Sequence, residues 1–174
     1  MGWPGHSVLQ VPVAPLDGFV RGLTGRQDAA YLSRDPGFTH AHVTVLGPFL
    51  ASPDAAETER VRRVVASVAA FEVVLERVAR FPDGTLHLVP EPDGPFRELT
   101  ARLAEAFPQC PPYEGRYAEL HPHLTLDLAG PGVDEDSLRL DLGDLLPARC
   151  RAERVDLAWW EQGATRRLAW WPLG

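Results

Sequence analysis

The sequence predicts an α+β protein, and two observations carry that expectation. Strand and helix patterns are interspersed along the 174 residues without the strict strand-helix-strand alternation of a parallel sheet. Several strand patterns are also joined in pairs by short turn signals, the mark of antiparallel hairpins. The length suits a single domain, residues 1–174, with room for two small lobes around its core.

A first strand is expected from His6 to Val13, where Val8, Leu9, Val11 and Val13 cluster and Pro12 and Pro15 close the run. Leu16, Phe19, Val20, Leu23 and Tyr31 follow at helical spacing, loosened by Gly18, Gly22 and Gly25. His40 to Phe49 reads as a strand stopped by Gly47-Pro48. Asp54 and Glu57 have the spacing of a capping box, and Val61, Val64, Val65 and Val68 share one face of the helix it opens. Phe71 to Phe81 and Thr85 to Val89, joined at Pro82-Asp83-Gly84, read as a hairpin. Pro95 suits a first helical position, and the stripe Phe96, Leu99, Leu103, Ala106 and Phe107 runs on until Pro108. A loop with Pro111, Pro112 and Gly115 leads to a strand over His121 to Leu128, closed by Gly130-Pro131-Gly132. Asp134-Glu135-Asp136 reads as the dipole-complementing first turn of a short helix ending by Leu146. Arg151 to Trp160 and Thr165 to Trp171, divided by Glu161-Gln162-Gly163, form a last hairpin.

Composition narrows the function. Hydrophobic residues make up 45% and charged residues 24%, ordinary for a globular chain. The formal net charge is -7, and every one of the 17 basic residues is an arginine. Proteins that track along polymeric nucleic acid carry a basic stripe, and none is visible. A nucleic-acid substrate is therefore expected to be short or to present one end, unless distant arginines such as Arg21, Arg26, Arg116 and Arg166 assemble a basic cleft. Two cysteines, Cys110 and Cys150, are too few for a disulfide framework, and Cys110 fits no thiol-catalysis pattern. The opening Met1-Gly2-Trp3-Pro4-Gly5 lacks the features of a signal peptide, and no apolar run approaches the roughly 18 residues that span a bilayer. A cytoplasmic protein is expected, with no membrane association and no evident obligate protein partner.

The informative feature is a repeat. His40-Ala41-His42-Val43-Thr44-Val45 and His121-Pro122-His123-Leu124-Thr125-Leu126 share one pattern, H-x-H-Φ-T-Φ with Φ aliphatic, about 80 residues apart. Residues two apart on a strand share a face, so His42 projects with Thr44 and His123 with Thr125. Val43, Val45, Leu124 and Leu126 then face the core. Two histidines can serve as base and acid near neutral pH. Two threonine hydroxyls can donate to the non-bridging oxygens of a phosphodiester, whose charge must be held in the transition state. That constellation suits phosphodiester chemistry without a metal. His40 and His121 share the face of the motif pairs and leave open a metal site made of two H-x-H pairs. Their simpler role is at the rim of the cleft.

His6 and His87 belong to no paired motif and read as ordinary strand residues. In Trp159-Trp160 and Trp170-Trp171, one ring of each pair is expected in the core and its neighbour on the opposite sheet face. Tyr113 and Tyr117, ahead of the second motif, are better placed to stack on a base. Arg116 beside them is a candidate phosphate contact.

With these residues in view, the chain resembles the two-histidine (2H) phosphoesterase superfamily, the 2'-5' RNA ligase-like family. The resemblance rests on His42-Val43-Thr44-Val45-Leu46-Gly47-Pro48-Phe49 and on His121 to Leu126. It extends to the strand Leu86-His87-Leu88-Val89-Pro90-Glu91 with its following helix and to Trp171-Pro172-Leu173-Gly174. It implies two pseudo-symmetric α+β lobes, each an antiparallel sheet with flanking helices, around a central cleft. It also implies an enzyme that opens 2',3'-cyclic phosphates, cleaves 2',5'-linked oligonucleotides or processes and joins RNA ends. His42 and His123 are then base and acid in an unassigned order, Thr44 and Thr125 hold the phosphate, and neither metal nor other cofactor is called for. The partner is a nucleotide or a short RNA-end phosphate. A nucleotide-binding module without turnover and a metallohydrolase built on the H-x-H pairs are the competing readings.

Overall fold

The computed structural model describes residues 4–116 and 119–174, so Tyr117 and the first three residues lie outside the described residues. The order is β1 (His6–Pro12), α1 (Asp17–Asp28), β2 (His42–Phe49), α2 (Ala55–Ala66), β3 (Phe71–Arg80), β4 (Thr85–Glu91), α3 (Gly94–Ala106), β5 (Leu124–Leu128), α4 (Glu135–Leu142), β6 (Ala148–Ala152), β7 (Arg154–Trp160) and β8 (Arg166–Pro172). Strands run β2-β1-β7-β8 in the first sheet and β5-β4-β3-β6 in the second, with every pairing antiparallel. The two sheets correspond: each has a motif-bearing strand at one edge, β2 or β5, paired with an inner strand, β1 or β4. The expected α+β architecture of two antiparallel sheets with flanking helices is therefore present.

One expectation fails at the C-terminal end. Arg151 to Trp160 is not a single strand but two, broken at Glu153. β6 pairs with β3 in the second sheet, whereas β7 lies between β1 and β8 in the first. The burial pattern explains the break: Ala148 and Ala152 face the core of one sheet, Val155 and Leu157 that of the other, and exposed Glu153 marks the crossing. The two motif strands also start later than the pattern suggests, at His42 and Leu124. The β4 ladder ends at Leu88↔Leu124, just beyond Pro122, which has no N–H to extend it.

One hydrophobic cluster runs through both sheets, so the lobes share a core. Phe49 meets Phe107 edge-on at 4.9 Å, and Phe71 meets Phe96 in the same way at 5.0 Å. Helix α3 also supports the free edge of β2, where the Thr100 hydroxyl donates to the Val45 carbonyl at 2.7 Å. The α2 capping box is complete: the Asp54 carboxylate accepts from the Glu57 N–H, and the Asp54 N–H donates to the Glu57 carboxylate, each at 2.8 Å. Asp54→Ala is expected to lower unfolding stability by about 1 kcal/mol in urea titration while leaving the α2 packing partners unchanged.

Candidate active site

The motif-bearing edges β2 and β5 come together, which brings the two repeats to one place. Strand alternation holds in each. Val43, Val45, Leu124 and Leu126 are buried, His42, Thr44 and His123 are partly exposed and Thr125 is exposed. Both threonine hydroxyls lack a hydrogen-bond partner among the described residues.

Each motif histidine is fixed in the same way by the chain just before it. The His42 Nδ1–H donates to the His40 carbonyl at 2.7 Å, and the His123 Nδ1–H donates to the His121 carbonyl at 2.8 Å. A carbonyl can only accept, so this bond selects the neutral tautomer with its lone pair on Nε2. Burial holds both rings in that form. It lowers His42 to about 4, helped by the nearby charge of His123 and opposed by the His40 carbonyl. Burial lowers His123 as well, but there the His121 carbonyl and the Asp83 carboxylate both oppose it. The surroundings of the two rings are therefore unlike: His42 leans on Trp160, 5.4 Å between centroids, while His123 has a carboxylate in its field.

His40 is not at the rim. It is 1% exposed, and its Nε2 accepts the Ser33 N–H at 3.1 Å, which leaves Nδ1 buried without a partner. Its ring packs edge-on against Phe38 and Trp160, at 4.8 and 5.6 Å. The strand entry is pinned by Asp17, whose Oδ1 accepts from the His40 N–H at 2.6 Å and the Ala41 N–H at 3.3 Å. His40 is thus the buttress behind His42, with its one aimed nitrogen already bonded. His121 is exposed and sits against Arg97, which donates to its Nδ1 at 3.2 Å and to the Leu120 carbonyl at 2.7 Å. These positions do not converge on a metal, and no group of three or more His, Cys, Asp or Glu side chains suited to one occurs among the described residues.

Two residues read as ordinary from the sequence belong to this site. His87 is 4% exposed, stacks on Phe81 at 3.8 Å and meets His123 edge-on at 5.4 Å. Its Cα partner in β5 is Thr125, so it occupies the place that Gln10 holds beside Thr44 in the first sheet. Trp160 backs His42, and its indole N–H donates to the Gln10 side-chain oxygen at 3.1 Å. The expectation of one buried ring per tryptophan pair holds for Trp171, with Trp170 exposed, but Trp159 and Trp160 are both half-buried. The signal for His87 was its place on the cleft face of the strand before the second motif, which only the register reveals.

Tyr113 lies with its ring 6.4 Å from His123 and nearly parallel to it. Its φ of 50°, followed by 58° at Glu114, is a conformation that L-residues adopt at a cost of roughly 1 kcal/mol or more each. Arg116 is held in an exposed ion pair with Glu114 at 2.8 Å and is not part of the adjoining cavity wall. Arg21 is likewise occupied, bonded to Asp17 and to the Phe38 carbonyl. The cavity, about 580 Å³, opens beside Thr44 between α3 and the loop before β5. Thr100, Ala101 and Ala104 form one wall and Pro112, Tyr113 and Leu120 the other.

Two antiparallel sheets with a histidine–threonine pair on each facing edge make a bilobal α+β protein with one shared cleft site. The family model of the 2'-5' RNA ligase superfamily matches residues 12–164, and the chain belongs to that superfamily. Solved structures show the same fold at low identity. One described as a phosphoesterase is 15% identical over 98% of this chain and 99% of its own, with a TM-score of 0.60. LigT of E. coli, solved with 3'-AMP, is 16% identical over 98% and 99%, with a TM-score of 0.57. TT0787 of Thermus thermophilus is 17% identical over 96% and 97%, with a TM-score of 0.53. No curated protein matched the sequence.

Burial of His40 also ties stability to pH. Folded His40 takes up a proton only near pH 4, whereas in the unfolded chain it does so near 6.5. Between those values the unfolded state binds the extra proton, so stability falls as pH drops through that window. The loss from His40 is about 3 kcal/mol. Urea unfolding across pH 7 to 4 should show this fall, and His40→Gln should flatten it by that amount.

Proposed function

We propose that the protein is a metal-independent phosphodiesterase of 2',3'-cyclic or 2',5'-linked nucleotide phosphates, with His42 and His123 as its acid–base pair. The carrying observation is the duplicated histidine–threonine unit, one copy on each facing edge strand and each imidazole tied through Nδ1 to a carbonyl two residues back. With Nδ1 committed, each Nε2 is free to take or give a proton. The unpartnered Thr44 and Thr125 hydroxyls suit the non-bridging phosphate oxygens, where negative charge grows in the transition state. A nucleotide ligand is in keeping with LigT, whose structures hold 3'-AMP, NADP+ or ATP.

The unlike surroundings support one assignment of the roles. His42, lowered to about 4 with no carboxylate acting on it, is the base that takes the proton from the attacking hydroxyl or water. His123, with the Asp83 carboxylate favouring its charged form, is the acid that protonates the leaving oxygen. The phosphate's own charge favours the imidazolium further once substrate binds. The metallohydrolase reading is not favoured, because His40 is buried with its Nε2 already accepting the Ser33 N–H.

Steady-state turnover of a panel of 2',3'-cyclic nucleotides and 2',5'-linked dinucleotides tests this. His42→Ala and His123→Ala should each lower kcat by roughly a hundred- to ten-thousand-fold, and Thr44→Val and Thr125→Val by roughly ten- to a hundred-fold. Unchanged turnover in either histidine variant would sink the assignment.

The pH profile is a separate check. A base near 4 and an acid below 6.5 predict a bell for kcat/KM with its maximum on the acid side of 6.5. The kcat profile should be displaced upward because bound phosphate raises the acid. The two limbs belong to the coupled pair. A kcat/KM maximum on the alkaline side of 6.5 would contradict it.

A further inference from the structure

The face of the second sheet that holds His123 and Thr125 carries the arginines Arg77 and Arg149, together with the acidic Glu72 and Glu91. The sheet's register places Thr125 opposite His87, Leu88 opposite Leu124, and Arg77 opposite Val89. Val89 lies two residues beyond His87 on the same face of β4, and Arg77 is its partner on β3. One strand spacing and two residues along the strand put the Arg77 backbone roughly 8 Å from that of His87, whose ring meets His123. Val73, Leu75 and Val78 are buried on the core side of β3, and the irregularity between Leu75 and Arg77 turns Arg77 to the open side with Ala79 and His87. On the next strand, Arg149 stands opposite Val74 and is exposed on that side too.

These two arginines differ from their neighbours in having no carboxylate. Arg80 is paired with Glu135 at 2.5 Å and Arg151 with Glu72 at 3.0 Å. Arg77 and Arg149 make no ion pair and no side-chain hydrogen bond among the described residues. Glu91 shares a row with Arg149 but is separated from it by Val74, and the two make no ion pair. In a chain of net charge -7, guanidinium groups without a carboxylate partner beside a phosphate site mark where negative charge is welcome. Arg77 is close enough that its charge, after burial, helps to keep His87 uncharged.

We infer that Arg77, with Arg149 beyond it, forms a second phosphate subsite that receives the next backbone phosphate of an oligonucleotide whose reacting end lies at His42 and His123. The inference rests on the proposed function and narrows it: the favoured substrate is the end of a short oligonucleotide rather than a mononucleotide. Val89 and His87 floor the path between the two phosphates. Arg77 takes no part in bond making, so its contribution is to binding alone.

The test compares a 2',3'-cyclic mononucleotide with a tetranucleotide ending in a 2',3'-cyclic phosphate, using the wild type, Arg77→Ala and Arg149→Ala. Arg77→Ala should raise KM for the tetranucleotide roughly tenfold with kcat unchanged, leave the mononucleotide unaffected, and reduce the salt slope for the tetranucleotide by about 0.7. Arg149→Ala should act in the same direction and less strongly. Equal effects on both substrates, or on neither, would overturn the subsite. Should the wild type turn over neither substrate, the proposed function fails on its own. Calorimetric binding of a 3'-phosphorylated tetranucleotide against 3'-AMP then decides the subsite by the same roughly tenfold criterion.

Discussion

A backbone carbonyl two residues before an imidazole governs this site. The bonds from Nδ1 to the His40 and His121 carbonyls set the tautomer, fix the ring plane and leave the Nε2 lone pair without a hydrogen bond among the described residues on both sides of the cleft. His87 makes the same kind of bond, Nδ1 to the Thr85 carbonyl at 3.2 Å, within β4. At the two motifs the accepting carbonyls lie just ahead of the strands, since β2 begins at His42 and β5 only after His123. The chain there is held by different means in the two lobes: Asp17 grips the His40 and Ala41 N–H groups in one, and Arg97 clamps the Leu120 carbonyl and His121 in the other.

The duplicated geometry carries unequal chemistry. Trp160, bonded in turn to Gln10, packs on His42, whereas His87 and Phe81 pack on His123 and the Asp83 carboxylate acts on it. Burial pushes both imidazoles toward neutrality, and only His123 has a carboxylate to offset it. This difference in surroundings is what the proposed division into base and acid rests on.

Much of this was legible in the sequence. The α2 capping box, the apolar stripe of α3 and the hairpin of β3 and β4 are local patterns and appear where expected. The repeat also indicated which side of each strand is polar, because strand alternation needs no tertiary information. What escaped depends on register and packing between distant segments. Arg151 to Trp160 has an unbroken strand composition, and only the competition of two sheets for it places the crossing at Glu153. His87 carries no motif and joins the site because its strand pairs with β5 opposite Thr125. His40 has the same pattern as His121, yet Ser33, Phe38 and Trp160 bury it while its counterpart stays exposed.

The central claim is that His42 and His123 present Nε2 to one phosphate from two lobes. Ring-nitrogen NMR of the six histidines, with and without 3'-AMP, tests it most directly. The account predicts Nδ1–H tautomers for both residues at pH 7, titration of both below 6.5 in the free protein, and movement of both sets of resonances on addition of 3'-AMP, with His123 taking up the proton. An Nε2–H tautomer at either residue, or a ligand response confined to one of them, would contradict it.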